Sequence, residues 1–202
     1  LEAYSRPRQN GIIANTNDER DQLIAVCLTN GDNDIVIASS AGKAVRFHES
    51  RVRPMGRTAA GVRGISLDEE DATAHVVGMV CIASSEAQLL VVSEKGYGKR
   101  SDIDEYRITN RGAKGVGTLK VTEKVGRLVA ILDVADNDDL MIINRSGIAI
   151  RTPVNEISVI GRNTQGVRLI SLRDGDEISS VTKIKQEEEV ESGAIVTEET
   201  PE

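Results

Sequence analysis

The chain has 202 residues, 39% hydrophobic and 28% charged, the mix of an ordinary soluble fold with a sizeable core. One Phe, three Tyr and no Trp argue against a stacking platform for single strands and against an aromatic cage. The net charge of −7 is local: Gln186 to Glu202 holds seven Glu and no Lys or Arg, which leaves 25 acidic against 25 basic side chains in residues 1–185, so a polyanion partner is not excluded.

In chain order, the runs LIAVCLT (23–29), DIVIAS (34–39), VVGMVCIAS (76–84), QLLVVSE (88–94), RLVAILDV (127–134) and DLMIINR (139–145) are short and rich in Val, Ile and Leu. Turn signals bound them at Asn30-Gly31-Asp32-Asn33, Ser85-Glu86 and Asp136-Asn137-Asp138. No window of a dozen residues shows a helical stripe, so each run is predicted as a strand. Cys27 and Cys81 lie inside two of the runs and read as small core residues of a reducing compartment. No apolar run approaches the roughly 20 residues that span a bilayer, and no secretory leader is read.

Two blocks recur between the runs. AGKAVRFHESRV (41–52), KGYGKRSDIDEY (95–106) and SGIAIRTPVNEI (146–157) share a Gly followed four residues later by Arg46, Arg100 or Arg151. RTAAGVRGISL (57–67), RGAKGVGTLKV (111–121) and RNTQGVRLISL (162–172) share an Arg four residues before a Gly-Val step. The first glycines (42, 96, 147) and the second (61, 115, 166) give the same spacings, 54 and 51. Leu1–Tyr4 and Arg8–Ile12 match the ends of a further copy, with Pro7 where Arg is expected. About four strands per period is the size of a propeller blade, and repeats that cannot bury their own faces must stack. The expected fold is all-β: a propeller-like array over residues 1–185, followed by an acidic, disordered tail at 186–202. The repeated glycines are expected to serve turns and close strand approach.

Enzyme signals are weak. Gly96-Tyr97-Gly98-Lys99-Arg100-Ser101 lacks the spacing of a phosphate loop, and no helix is predicted after it. His48 and His75 have no further ligand at zinc spacing, and no Gly-x-Ser-x-Gly elbow occurs. Asp136, Asp138 and Asp139 read as a hairpin turn rather than a cation site. No catalytic residue and no metal site is expected.

The strings MGRTAAGVRGISL, NRGAKGVGTLKV and GRNTQGVRLISL closely resemble the C-terminal domain of the DNA gyrase A protein, with the paralogous domain of topoisomerase IV a more distant match. The resemblance covers residues 1 to about 185. It implies a β-pinwheel, whose blades exchange strands with their neighbours and whose outer rim wraps and bends duplex DNA, presenting it to the cleavage core of a type II topoisomerase for ATP-dependent negative supercoiling. It further implies partners in double-stranded DNA, the remainder of the gyrase A protein, and gyrase B. ATP and Mg2+ act elsewhere in such a holoenzyme, with no cofactor, small-molecule substrate or membrane for this chain, and the setting is the bacterial cytoplasm and nucleoid. A full domain usually has six blades, of which the chain would supply roughly the last four. The family's Gln-Arg-Arg-Gly-Gly-Lys/Arg-Gly heptapeptide is absent here. Its nearest relic is Asn110-Arg111-Gly112-Ala113-Lys114-Gly115. Tyr4, Tyr97 and Tyr106 do not follow an arginine as the family's cleavage tyrosine does. A propeller serving as a protein-interaction scaffold, with its cations scattered, is the reading from a different class.

Wrapping needs cations spaced along a curved rim, not base-specific chemistry. Smoothly bending roughly 20–30 base pairs costs of order 1–6 kcal/mol, which repeated positions can share. The expected phosphate contacts are Arg51, Arg53, Arg57 and Arg63, then Arg107, Arg111 and Lys114, then Arg162 and Arg168, with Arg6 and Arg8 from the first copy. Arg46, Arg100 and Arg151, with Lys43 and Lys99 near them, form a second set. For the three arginines the alternative is an internal acid partner that sets blade geometry. The tail is read either as a solvated segment or as a competitor with DNA for the rim.

Overall fold

A computed structural model of the chain describes residues 6, 9–15, 17, 19, 21–84 and 86–185. Three hairpins carry the fold. They are β1 (Asp34–Ser39) with β2 (Lys43–His48), β4 (Gln88–Ser93) with β5 (Tyr97–Asp102), and β8 (Asp138–Asn144) with β9 (Ala149–Pro153). Each is followed by one turn of 3-10 helix, at Glu49–Arg51, Ile103–Glu105 and Val154–Glu156. A longer strand then returns antiparallel to the first strand of its own hairpin: β3 (Val76–Ile82) on β1, β7 (Leu128–Val134) on β4, β11 (Ile178–Lys185) on β8.

The second blocks at 111–121 and 162–172 cross back to the blade before them. Their short strands β6 (Val116–Gly117) and β10 (Val167–Arg168) pair with β2 and β5, giving sheets ordered β3-β1-β2-β6, β10-β5-β4-β7 and β11-β8-β9. The first two blades are therefore completed by residues of the next repeat. Glycine makes that closeness possible. A Cβ on Gly115 would lie 2.5 Å from the Ala44 carbonyl oxygen, and one on Gly166 would lie 2.6 Å from that of Gly98. Both glycines hold positive φ, 77° and 76°, a region that side chains rarely adopt.

The middle sheet explains why its first strand reads as an unbroken apolar run. Along β4 side chains alternate between faces: Leu89 and Val91 pack into a core with Val36, Val80, Leu128 and Ile131, while Leu90 and Val92 join Leu140, Ile142 and Ile178. Both faces are covered by neighbouring blades. At about 1.5–3 kcal/mol for each fully buried Val or Leu, these two inter-blade cores hold the array together.

The run at 23–29 is a correction. Its composition predicts a strand but none forms, and Val26 and Leu28 are 78% and 77% exposed. Its counterparts one, two and three periods on are β3, β7 and β11, each of which lies on the hairpin preceding it. Among the described residues no hairpin precedes 23–29 and no strand pairs with it. Cys27 is accordingly exposed, not core. Cys81, on β3, is half-buried, and burial together with a hydrogen bond to Cys27 pushes its thiol up to about 12. The first repeat copy at 1–5, Arg8 and the acidic tail lie outside the described residues.

Candidate nucleic-acid interface

The recurrent arginines divide into two latches that run in opposite directions between blades. The strand arginines reach forward. Arg46 on β2 pairs with Asp34 across the hairpin (Nη2–Oδ2 2.7 Å) and donates through Nη1 to the carbonyls of Ile103 and Tyr106 in the next repeat, at 2.8 and 3.2 Å. Arg100 on β5 pairs with Asp136 and donates from Nε to the Ile157 carbonyl at 2.8 Å, the same position as Tyr106 one repeat on. Arg151 on β9 keeps the hairpin partner, donating from Nε to Asp139 at 2.7 Å, and is half-exposed. Asp136 and Asp139 thus hold arginines.

The loop arginines reach back. Arg57, Arg111 and Arg162 each donate from Nη1 to a carbonyl two residues past the preceding repeat's glycine: Ile13 at 2.8 Å, Arg63 at 3.2 Å and Gly117 at 2.8 Å. Arg111 adds Nε to the Arg51 carbonyl at 3.0 Å. The Nε of Arg162 is buried without a hydrogen-bond partner. Sequence reasoning found these arginines by their recurrence but missed this structural role, because the acceptors are backbone oxygens that leave no signature in side-chain identity.

Outside the latches, Arg6, Arg51, Arg53, Arg63, Arg107 and Lys114 are exposed. The first blade junction gathers several of them. The Gly112 amide donates to the Gly64 carbonyl at 2.6 Å and the Ser66 amide to the Ala113 carbonyl at 3.0 Å, which brings the loops of Arg51, Arg53, Arg63, Arg111 and Lys114 together. The cleft lined by Arg63 and Lys114 also carries Asp68, Glu69 and Glu70, and Lys43 faces Asp68 at 3.5 Å, so this junction is not uniformly basic. At the second junction Arg168 on β10 donates to the Tyr97 hydroxyl at 3.1 Å, with its guanidinium 5.6 Å from the ring centroid. That contact, with Lys124 on the same ring, holds the Tyr97 phenol below its usual range.

Of the second set, Lys99 and Arg100 are only 0% and 5% exposed, and Arg46 is largely buried. Arg46 and Arg100 reach acids, Asp34 and Asp136, together with carbonyls of the next repeat, whereas Lys99 meets carbonyl and hydroxyl oxygens, and burial withdraws all three from the surface. Among the described residues no cluster of three or more His, Cys, Asp or Glu is placed to hold a metal, and no helix is long and apolar enough to cross a membrane.

A family model described as DNA gyrase C-terminal domain, beta-propeller, matches residues 33–80, 87–135 and 138–185, each segment spanning one hairpin and its returning strand. Over 190 residues the chain is 48% identical to the DNA gyrase A protein of Staphylococcus epidermidis (strain ATCC 12228 / FDA PCI 1200), covering 94% of this chain and 21% of that protein. It therefore spans about a fifth of the length of such relatives. A solved DNA gyrase A C-terminal domain is similar at a TM-score of 0.76 and 28% identity, over 87% of this chain and 58% of that one. A solved C-terminal domain of DNA topoisomerase IV superposes at a TM-score of 0.83 with 24% identity, over 90% and 56%, a likeness of fold alone. With three successive repeats matched and the strand exchange in place, the chain belongs to the DNA gyrase C-terminal domain family.

Proposed function

We propose that this chain binds duplex DNA along its blade junctions and bends it, delivering a wrapped segment to the cleavage core of a type II topoisomerase for ATP-dependent negative supercoiling. The observation that carries the reading is the recurrence of Arg57, Arg111 and Arg162 at one structural position. Arg57 and Arg111 are flanked by exposed Arg51, Arg53, Arg63, Arg107 and Lys114, and Arg162 by Arg168. A latched guanidinium has other N–H groups to offer, and its tie fixes where they point, so ordering costs less when a phosphate arrives. Arg6, Arg8 and Arg168 extend the set, and Lys43 and Arg151 are secondary contacts at its margin.

The chain is not catalytic by itself. Its working partners are DNA, the remainder of the gyrase A protein, and gyrase B, in the bacterial cytoplasm on the nucleoid, with ATP and Mg2+ used elsewhere in the assembly. The name of the 48%-identical relative favours gyrase over topoisomerase IV.

The test is binding to a duplex of about 40 base pairs across a salt series, with a bend-sensitive fluorescence pair on the DNA ends. Several phosphate contacts give a steep fall of log affinity with log salt, about 0.9 per contact, and approaching ends. No binding even at low salt would favour the scaffold reading.

A further inference from the structure

Lys99 stands where the other repeats place an apolar residue. Counting three from the first glycine gives Val45, Lys99 and Ile150, and Val45 is a core residue. Lys99 is fully buried, and a lone buried charge is costly unless its protons find acceptors. They do. Nζ donates to Ser101 Oγ at 2.8 Å, to the Gly161 carbonyl at 2.6 Å and to the Arg162 carbonyl. Three acceptors match the three protons of an ammonium; a neutral amine has only two to give.

Both carbonyls belong to the loop that presents Arg162. The same loop is tied by the Ser101 hydroxyl to the Ile160 carbonyl at 2.7 Å, and by its Arg162 amide to Glu105 Oε2 at 2.7 Å. At the first junction the corresponding loop, Asn110-Arg111, has Val45 at the equivalent register. Its arginine bridges the carbonyls of Arg51 and Arg63 instead.

We propose that Lys99 is a positioning residue: its buried ammonium fixes the backbone at Gly161 and Arg162, and so sets where the Arg162 guanidinium meets a DNA phosphate. The inference rests on the reading that this loop contacts DNA. It gives the middle blade a protonation-sensitive grip that the other blades lack. Burial brings the ammonium down to about 8, with the negative charge of Glu105 opposing the shift and Arg162 reinforcing it. Tyr106, beneath the loop, is pushed up by burial and stays neutral in this range.

The experiment pairs two readouts on the full chain at pH 7 and pH 9: amide hydrogen exchange at Ile160 and Arg162, corrected for intrinsic rates, and affinity for a duplex of about 40 base pairs. Lys99→Met and Arg162→Ala are the variants. At pH 9 about a tenth of Lys99 keeps its third proton. The wild type is then expected to lose loop protection and affinity toward the values of Lys99→Met, which itself changes little with pH. Tyr97, whose phenol Arg168 holds low, also titrates toward alkaline pH, but it does so equally in Lys99→Met, and the difference between the two proteins isolates Lys99. If Lys99→Met folds poorly, the wild-type loop exchange at the two pH values carries the test.

Equal loop exchange in the wild type at both pH values would overturn the positioning role. So would undiminished affinity in Lys99→Met where Arg162→Ala loses it. If neither variant nor alkaline pH changes affinity, the DNA reading of this loop fails, and the proposal with it.

Discussion

Replacing Gly166 by Ala tests how tightly a blade is closed by its successor. Two costs are separable. The φ of 76° is left-handed, and a Cβ there costs about 1–2 kcal/mol. The Cβ would also lie 2.6 Å from the oxygen and 2.9 Å from the carbon of the Gly98 carbonyl, on β5. Backbone cannot rotate aside as a side chain does, so β10 must lift away, at about 1–3 kcal/mol by analogy with overpacked cores. Gly147→Ala is the control: its φ of 84° carries the first cost, but no heavy atom lies within 4 Å of its Cβ. The gain from a stiffer unfolded chain, about 0.4–1 kcal/mol, is common to both and cancels. Urea unfolding should therefore place Gly166→Ala about 1–3 kcal/mol below Gly147→Ala, with similar dependence on denaturant. Lifting β10 also withdraws Arg168 from Tyr97, so the Tyr97 phenol should titrate at higher pH in Gly166→Ala, followed by tyrosinate absorbance. Equal stability of the two variants would refute the claim that close approach, and not backbone conformation alone, demands glycine at 166.

Arg100→Ala should cost about 1–3 kcal/mol in urea unfolding, because it leaves the Ile157 carbonyl without its buried donor, whereas Arg145→Ala, whose exposed guanidinium pairs with Glu177, should cost about 0–1 kcal/mol; comparable losses would contradict the forward latch. Lys114→Ala should lower the slope of log affinity against log salt by about 0.9 without moving the melting temperature, and an unchanged slope removes Lys114 from the interface. Asp71 and Arg127 form a bidentate pair between the segments entering β3 and β7, at 2.9 and 3.0 Å, which holds the Asp71 carboxyl well below its ordinary 3.8. A depressed carboxylate stabilises the fold above the unfolded value and loses that contribution as pH falls through the folded one. Wild-type stability should thus drop on going from about pH 4 to pH 2 more steeply than that of Asp71→Asn, and parallel curves would count against the pair.

The hairpins were legible because their apolar runs are bounded by strong turn chemistry: the expected 34–39 strand is observed over Asp34–Ser39, and the 88–94 run over Gln88–Ser93. The run at 23–29 carries the same composition yet is no strand, since a strand is defined by its partner and composition does not report whether one is present. β6 and β10 escaped any run-based reading because they are two residues long; only the Gly-Val recurrence marked them. The recurrent arginines were found, but their distribution between interior and surface was not, because it turns on which backbone carbonyls the neighbouring repeat brings within reach. Lys99 is expected from the sequence only as a secondary phosphate contact beside Arg100. Its burial follows from its register as the third residue past the hairpin glycine, where its counterparts are Val45 and Ile150.

The paired latches bear on how such a chain can change its length over evolution. Each junction is built from equivalent residues of two successive repeats: a forward arginine, a backward arginine and, where the short strand is paired, a glycine against backbone. Gaining or losing one whole period, from any starting phase, recreates the same kind of junction and asks for no new surface. Blade number is therefore an easily varied property, while a shift of a few residues within a period disables both latches together. Under the proposed function, bend angle would follow the number of identical junctions and change in whole steps by duplication, with a single-repeat difference such as lysine at position 99 adjusting one step.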